Sequence, residues 1–107
     1  MSEEHESGLT LASVQRHIRA LYGAKDAARG DLATFVWLVE EVGELATALR
    51  SGTREELAFE MADVLAWLAT LANLRGIELE DAFVRKYGRA CPDCGLNPCA
   101  CDPADKP

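Results

Sequence analysis

Five carboxylates interrupt two otherwise apolar stretches of the sequence. LVEEVGEL, residues 38–45, carries Glu40, Glu41 and Glu44, and FEMADVLAWLATLA, residues 59–72, carries Glu60 and Asp63. Carboxylates are hard oxygen ligands and proton acceptors, so the chemistry in question is divalent-metal binding and the activation of water. For the first triplet the plainer reading is the wet face of an amphipathic helix, since a charge run is usually solvated. The second pair resists that reading. From Leu57 to Leu74 the sequence is apolar on nearly every side of a helix, and such a helix is normally buried. At ~100° per residue, Glu56, Glu60, Asp63, Trp67 and Thr70 fall on one stripe, so Glu60 and Asp63 project together from a core-like helix.

A buried, unpaired carboxylate is costly and two neighbours repel, so the cluster needs a cation. No basic residue lies between Arg54 and Arg75, and none lies between Leu32 and Arg50. A structural salt bridge would have to recruit Arg16, Arg19, Lys25, Arg29, Arg85 or Lys86 from elsewhere in the chain. A divalent ion such as Mg2+, held by carboxylates from two antiparallel helices, fits the pattern better.

The elements that must position these acids read as four helices. Thr10 caps a first helix whose Leu11, Val14, Ile18 and Leu21 recur at helical spacing until Gly23 stops it. GAKDAARGD reads as a polar loop, and Asp31 as the cap of a second helix from Leu32 to about Arg50. Thr53 and Glu56 form a capping box for a third helix ending near Asn73, and Glu80 to Tyr87 make a short fourth, closed by Gly88. On the second helix Leu38, Val42, Leu45 and Leu49 form an apolar stripe beside Phe35, Val39 and Ala46. Trp37, Glu41, Glu44 and Ala48 form another stripe, with Glu40 further round. No run alternates as a strand would, and no internal repeat is present. The expected fold is all-α: an antiparallel bundle of about four helices.

The wider composition agrees with a small globular domain. The chain has 107 residues, 49% of them apolar, enough for one small core. Its net charge of -7 argues against a binder of nucleic-acid polymers, which neutralise phosphates with Lys and Arg. The start, MSEEHESG, is acidic where a secretory signal is basic and then apolar. The longest nearly apolar run, Val64 to Leu74, is shorter than the ~20 residues that span a bilayer. These features predict a cytoplasmic protein with no membrane segment. The expected organisation is a flexible acidic N-terminus over 1–8, a helical domain over 9–90 and a cysteine-rich tail over 91–107. His5 and His17 have no partner pattern and receive no role.

EEVGE followed by EMAD gives Glu40-Glu41-x-x-Glu44 and Glu60-x-x-Asp63, which resembles the EExxE…ExxD signature of the MazG-type all-α nucleotide pyrophosphohydrolases. The resemblance runs through FVWLVEEVGELATALRSG, ELAFEMADVLAWLATLANLRGIELEDA and KYGR, and so covers most of residues 10–90. It implies Mg2+-dependent (or Mn2+-dependent) hydrolysis of a nucleoside triphosphate between the α and β phosphates, giving a monophosphate and pyrophosphate. It also implies metal ligands at Glu41, Glu44, Glu60 and Asp63. Glu40 is then available for a further metal or for the attacking water, which makes Glu40 and Glu41 the candidate catalytic residues. The physical logic agrees, because a metal screens the triphosphate and lowers the pKa of bound water.

Arg85, Lys86 and Arg89 are the candidate phosphate contacts, where similar proteins often carry a Lys and an Arg. A basic last helical turn, favoured by the helix dipole, is the alternative for them. Trp37 and Trp67 lie one turn from Glu41 and Asp63, as core residues or as platforms for a nucleobase. Family members of this kind are homodimers or dimers of dimers. Helices this apolar on more than one side also exceed what one short chain can cover, so a homo-oligomer built on the second and third helices is expected.

The tail CPDCGLNPCACDPADKP holds all four cysteines and departs from the minimal family domain. Cys91-x-x-Cys94-Gly opens like a zinc knuckle, and Cys99 and Cys101 supply two more thiolates, enough for a structural zinc site. One or two disulfides, or a reduced flexible tail, are the alternatives. Two functions of different class follow: a pyrophosphohydrolase, or a non-catalytic, zinc-stapled helical interaction module.

Overall fold

The computed structural model describes residues 8–105. The expected acidic N-terminus over 1–8 therefore lies, Gly8 apart, outside the described residues. Four helices follow one another: α1 (Leu11–Arg29), α2 (Asp31–Ser51), α3 (Arg54–Leu74) and α4 (Leu79–Tyr87). Beyond α4 the described residues form turns and bends without helix or strand.

Capping sets the helix starts. Thr10 accepts from the Ser13 amide at 3.0 Å while the Thr10 amide donates to Ser13 Oγ at 2.7 Å. Thr53 and Glu56 reciprocate in the same way at α3, at 3.1 and 2.8 Å, satisfying donors that the first turn leaves free. With only Gly52 and Thr53 between them, α2 and α3 fold back as antiparallel neighbours and make the largest interhelical contact. α1 lies along α3, and α4 rests on the start of α1.

Gln15 holds that corner together. Its side-chain amide donates to Asn73 Oδ1 and to the Ile77 carbonyl, and its oxygen accepts from the Leu79 amide at 2.8 Å. Asn73 Nδ2 returns a bond to the Gln15 carbonyl. A buried polar side chain satisfied on every side joins the three elements and holds them in one arrangement.

α1 does not stop at Gly23. The stretch read as a polar loop is helical to Arg29, because Ala24, Ala27 and Ala28 are strong helix formers that offset the ~1 kcal/mol cost of one interior glycine. The stop is Gly30, whose φ of 87° is open only to a residue without Cβ strain. Gly30 also caps α2, so Asp31 is the first residue of that helix and not its cap. Asp31 there faces the positive end of the helix dipole and pairs with Arg75 at 2.9 Å.

The inner layer is made of small residues. Thr34 and Ala48 of α2, Ala69, Thr70 and Ala72 of α3 and Ile18 of α1 are all buried. Small side chains at these positions let the helices approach closely. The expected stripe on α2 is accordingly split: Leu38 and Leu45 turn partly inward, while Phe35, Val39, Val42 and Leu49 are exposed. α3 is likewise not buried on all sides, since Phe59, Met61, Leu65 and Leu68 are exposed. By length and composition alone, Arg54–Leu74 is long and apolar enough to cross a membrane. Its inner residues pack in the bundle, and Glu60 and Asp63 sit in its first half.

Candidate metal centre

On α2 the residues turned toward α3 are Thr34, Leu38, Glu41, Leu45 and Ala48, at steps of four, three, four and three. Glu41 thus occupies an inward position in a row otherwise fit for packing. On α3 the row Glu60, Asp63, Trp67 and Thr70 faces the same space. One oxygen each from Glu41, Glu60 and Asp63 lies within 4.8 Å of the others. Glu41 Oε1 and Glu60 Oε1 are buried and have no hydrogen-bond partner among the described residues.

That arrangement is unfavourable for three anions alone. Burial, then the charges of Glu44, Asp63 and Glu60, push the Glu41 carboxyl above its ordinary value. Glu44 lies outside the three-oxygen group but acts on Glu41 as the strongest neighbouring charge. Glu40 is exposed and stands apart from the group. Among the described residues no Lys or Arg pairs with any of these acids. The ion pairs formed are Arg29–Asp26, Arg75–Asp31 and Arg85–Asp81. The salt-bridge alternative drawn from the sequence is therefore not what this chain adopts at the cluster.

Asp63 also borders a hollow of ≈ 440 Å³ whose walls include Tyr22, Lys25, Arg29, Trp37 and Trp67. The two tryptophans meet edge to face, with centroids 5.3 Å apart and planes at 86°. The Arg29 guanidinium sits 5.0 Å from one ring centre and 4.9 Å from the other. It is held there by Asp26 at 3.0 Å and by donation to Thr34 Oγ1 at 3.0 Å. Asp26, only 4% exposed, also accepts from Thr70 Oγ1 at 3.2 Å. Thr34 in turn donates to the Gly30 carbonyl, which ties this knot to the α1–α2 turn.

Asp26, Arg29 and Lys25 were not singled out as a site by the sequence reading, because they belong to the stretch taken for a loop. The available signal was the i, i+3 spacing of Asp26 and Arg29 in an alanine-rich segment. Conversely, Arg85, Lys86 and Arg89 do not join the acids in this chain. Arg85 bonds Asp81 at 3.1 Å, Lys86 lies over Tyr87, and Arg89 lines a hollow shared with the tail. A larger hollow, ≈ 570 Å³ between α1, α4 and the end of α3, shares none of the acid cluster.

The tail brings its four cysteines together. One sulfur each from Cys91, Cys94, Cys99 and Cys101 lies within 4.8 Å of the rest, and all four are free thiols. Amide donation from Ala100 and Leu96 lowers Cys94 to about 6, whereas hydrogen bonding with the sulfurs of Cys99, Cys91 and Cys94 pushes Cys101 up to about 12.

A helical bundle with acids converging from two facing helices defines a class of carboxylate metal centres. Residues 29–95 match the MazG nucleotide pyrophosphohydrolase domain, and the chain belongs to that family. The match spans all five acids, both tryptophans and Arg29. It leaves out most of α1, including Asp26 and Lys25, and ends before Cys99.

Proposed function

We propose that the protein is a Mg2+-dependent nucleoside triphosphate pyrophosphohydrolase that cleaves between the α and β phosphates to give a monophosphate and pyrophosphate. The observation that carries this reading is the pair of buried, unpartnered oxygens, Glu41 Oε1 and Glu60 Oε1, beside Asp63. A bound cation satisfies such a group while leaving it ionised, and a hard divalent ion suits all-oxygen donors. Glu41, Glu60 and Asp63, completed by Glu44, would hold Mg2+ or Mn2+. When bound, the ion screens the triphosphate and acidifies water.

The remaining steps belong to the chain's own side chains. Exposed Glu40, on the same helix but outside the cluster, takes the proton of the attacking water. Lys25 shares the hollow with Asp63 and supplies charge for the phosphates there, beside the contacts expected from Arg85, Lys86 and Arg89. Trp37 is 46% exposed and offers a nucleobase its free surface, while Arg29 and Trp67 hold it in position. On this reading residues 9–90 are the catalytic domain.

The purified protein should release pyrophosphate from one or more members of a panel of normal and modified nucleoside triphosphates in Mg2+, and release none in chelator. No turnover of any member in Mg2+ or Mn2+ would leave the non-catalytic interaction module as the better reading. The exposed Phe35, Val39, Val42, Leu49, Phe59 and Leu65 further support a homodimer or dimer of dimers formed through α2 and α3. Light scattering should give at least twice the chain mass at micromolar concentration, and a monomer there would refute the assembly.

A further inference from the structure

We propose that Cys91, Cys94, Cys99 and Cys101 hold one zinc ion as four thiolates, independently of the carboxylate centre. Zn–S bonds of ~2.3 Å arranged tetrahedrally require sulfurs about 3.8 Å apart. Cys91 and Cys101 place their sulfurs 3.8 Å apart, and Cys94 and Cys99 place theirs 3.9 Å apart. Those are opposite edges of one tetrahedron. A disulfide would need ~2.05 Å, so the same distances disfavour both cross-links.

The backbone is arranged for thiolates as well. The Asp93 amide donates to Cys91 Sγ at 3.4 Å, Ala100 to Cys94 Sγ at 3.4 Å, and Cys101 to Cys99 Sγ at 3.2 Å. Such N–H···S bonds stabilise the charged form of a ligand and fix its direction, as outer-shell contacts do at metal sites. Gly95, at a φ of 74°, makes the tight turn after Cys94, and the Gly95 amide closes it onto the Cys91 carbonyl at 2.8 Å. The unusual Cys99-x-Cys101 spacing is accommodated because the two sulfurs serve opposite edges.

The segment also lacks other means of order. It has no helix or strand among its described residues, and Leu96, its one large aliphatic side chain, is exposed. Segments too small to build a core commonly depend on a metal or disulfides. Between the soft metals that four thiolates accept, divalent zinc binds more tightly than ferrous iron. Binding displaces the thiol protons into solvent, so affinity should rise with pH.

The test uses the full chain prepared anaerobically with reductant and analysed for metals. About one zinc per chain is expected, and the Cys94→Ser/Cys101→Ser protein should retain at least fivefold less. Glu60→Gln should retain zinc at the parent level. In the parent chain, Co2+ added after zinc removal should give the absorption of a tetrahedral thiolate site, and one equivalent of Zn2+ should bleach it. That arm does not depend on the folding of any variant. Iron in place of zinc, neither metal, or zinc kept by the double cysteine variant but lost in Glu60→Gln would each overturn the proposal. None of these readouts uses pyrophosphate release, so the zinc site and the hydrolase reading fail separately.

Discussion

In chelator, the Glu60→Gln and Asp63→Asn proteins should melt at or above the temperature of the parent, while losing the stabilisation by Mg2+ and most of the pyrophosphohydrolase activity. The parent cluster places Glu41, Glu60 and Asp63 oxygens within 4.8 Å of one another, and no basic residue among those described pairs with them. Removing one charge relieves repulsion in the metal-free state and removes a ligand in the metal-bound one. If an arginine or lysine held the acids, the same changes would strand a buried cation and destabilise by ~3 kcal/mol or more, with or without Mg2+. A large fall in melting temperature for both variants in chelator would rule out the metal centre.

The pH dependence of the parent gives a second sign for the same site. Glu41 is raised, so between the ordinary carboxylate value and the raised one the folded protein binds a proton that the unfolded chain has released. Metal-free stability should therefore be fullest below the ordinary carboxylate value and fall as pH rises from there through the raised one. Glu41→Gln should flatten that part of the profile. Excess Mg2+ should reverse its slope, because only the ionised carboxylate binds the ion.

The acids on α3 were legible in sequence because a polar residue in an otherwise apolar helix is informative at any position. The inward turn of Glu41 was not legible. α2 is apolar on more than one side, and its large residues suggested a stripe through Val42 and Leu49 that the structure leaves exposed. What decides the face is how the two helices pack through their small buried residues, Thr34 and Ala48 on α2 and Ala69 and Ala72 on α3, a property of two helices together and not of either one alone. Capping boxes at Thr10 and Thr53 are local and could be read directly. The second half of α1 was hidden for the opposite reason. Glycine and charge in GAKDAARGD mimic a loop, while the contacts that make it helix, Asp26 with Thr70 and Arg29 with Trp37 and Trp67, come from residues far along the chain.

Asp26→Asn should behave opposite to Asp63→Asn, although both exchange a carboxylate for an amide in the same bundle. The Asp26 side chain is 5% exposed and that of Arg29 15%, and they pair at 3.0 Å. With the carboxylate gone, Arg29 keeps its charge between two indole rings but has only neutral acceptors, Thr34 Oγ1 and the amide oxygen of the substituted side chain. Breaking a buried pair from one side costs ~3–5 kcal/mol, mostly from the charge left behind. At ~4–8 °C per kcal/mol for a domain of this size, the melting temperature should fall by more than about 10 °C, equally in chelator and in Mg2+. Replacing both partners, as Asp26→Leu with Arg29→Met, should recover a large part of the loss, since no charge is then stranded. The double variant should still show Mg2+-induced stabilisation, because Glu41, Glu60 and Asp63 are untouched. A single variant as stable as the parent would mean that the Asp26–Arg29 pair does not hold the tryptophans in place, and the hollow beside Asp63 would lose its supporting wall.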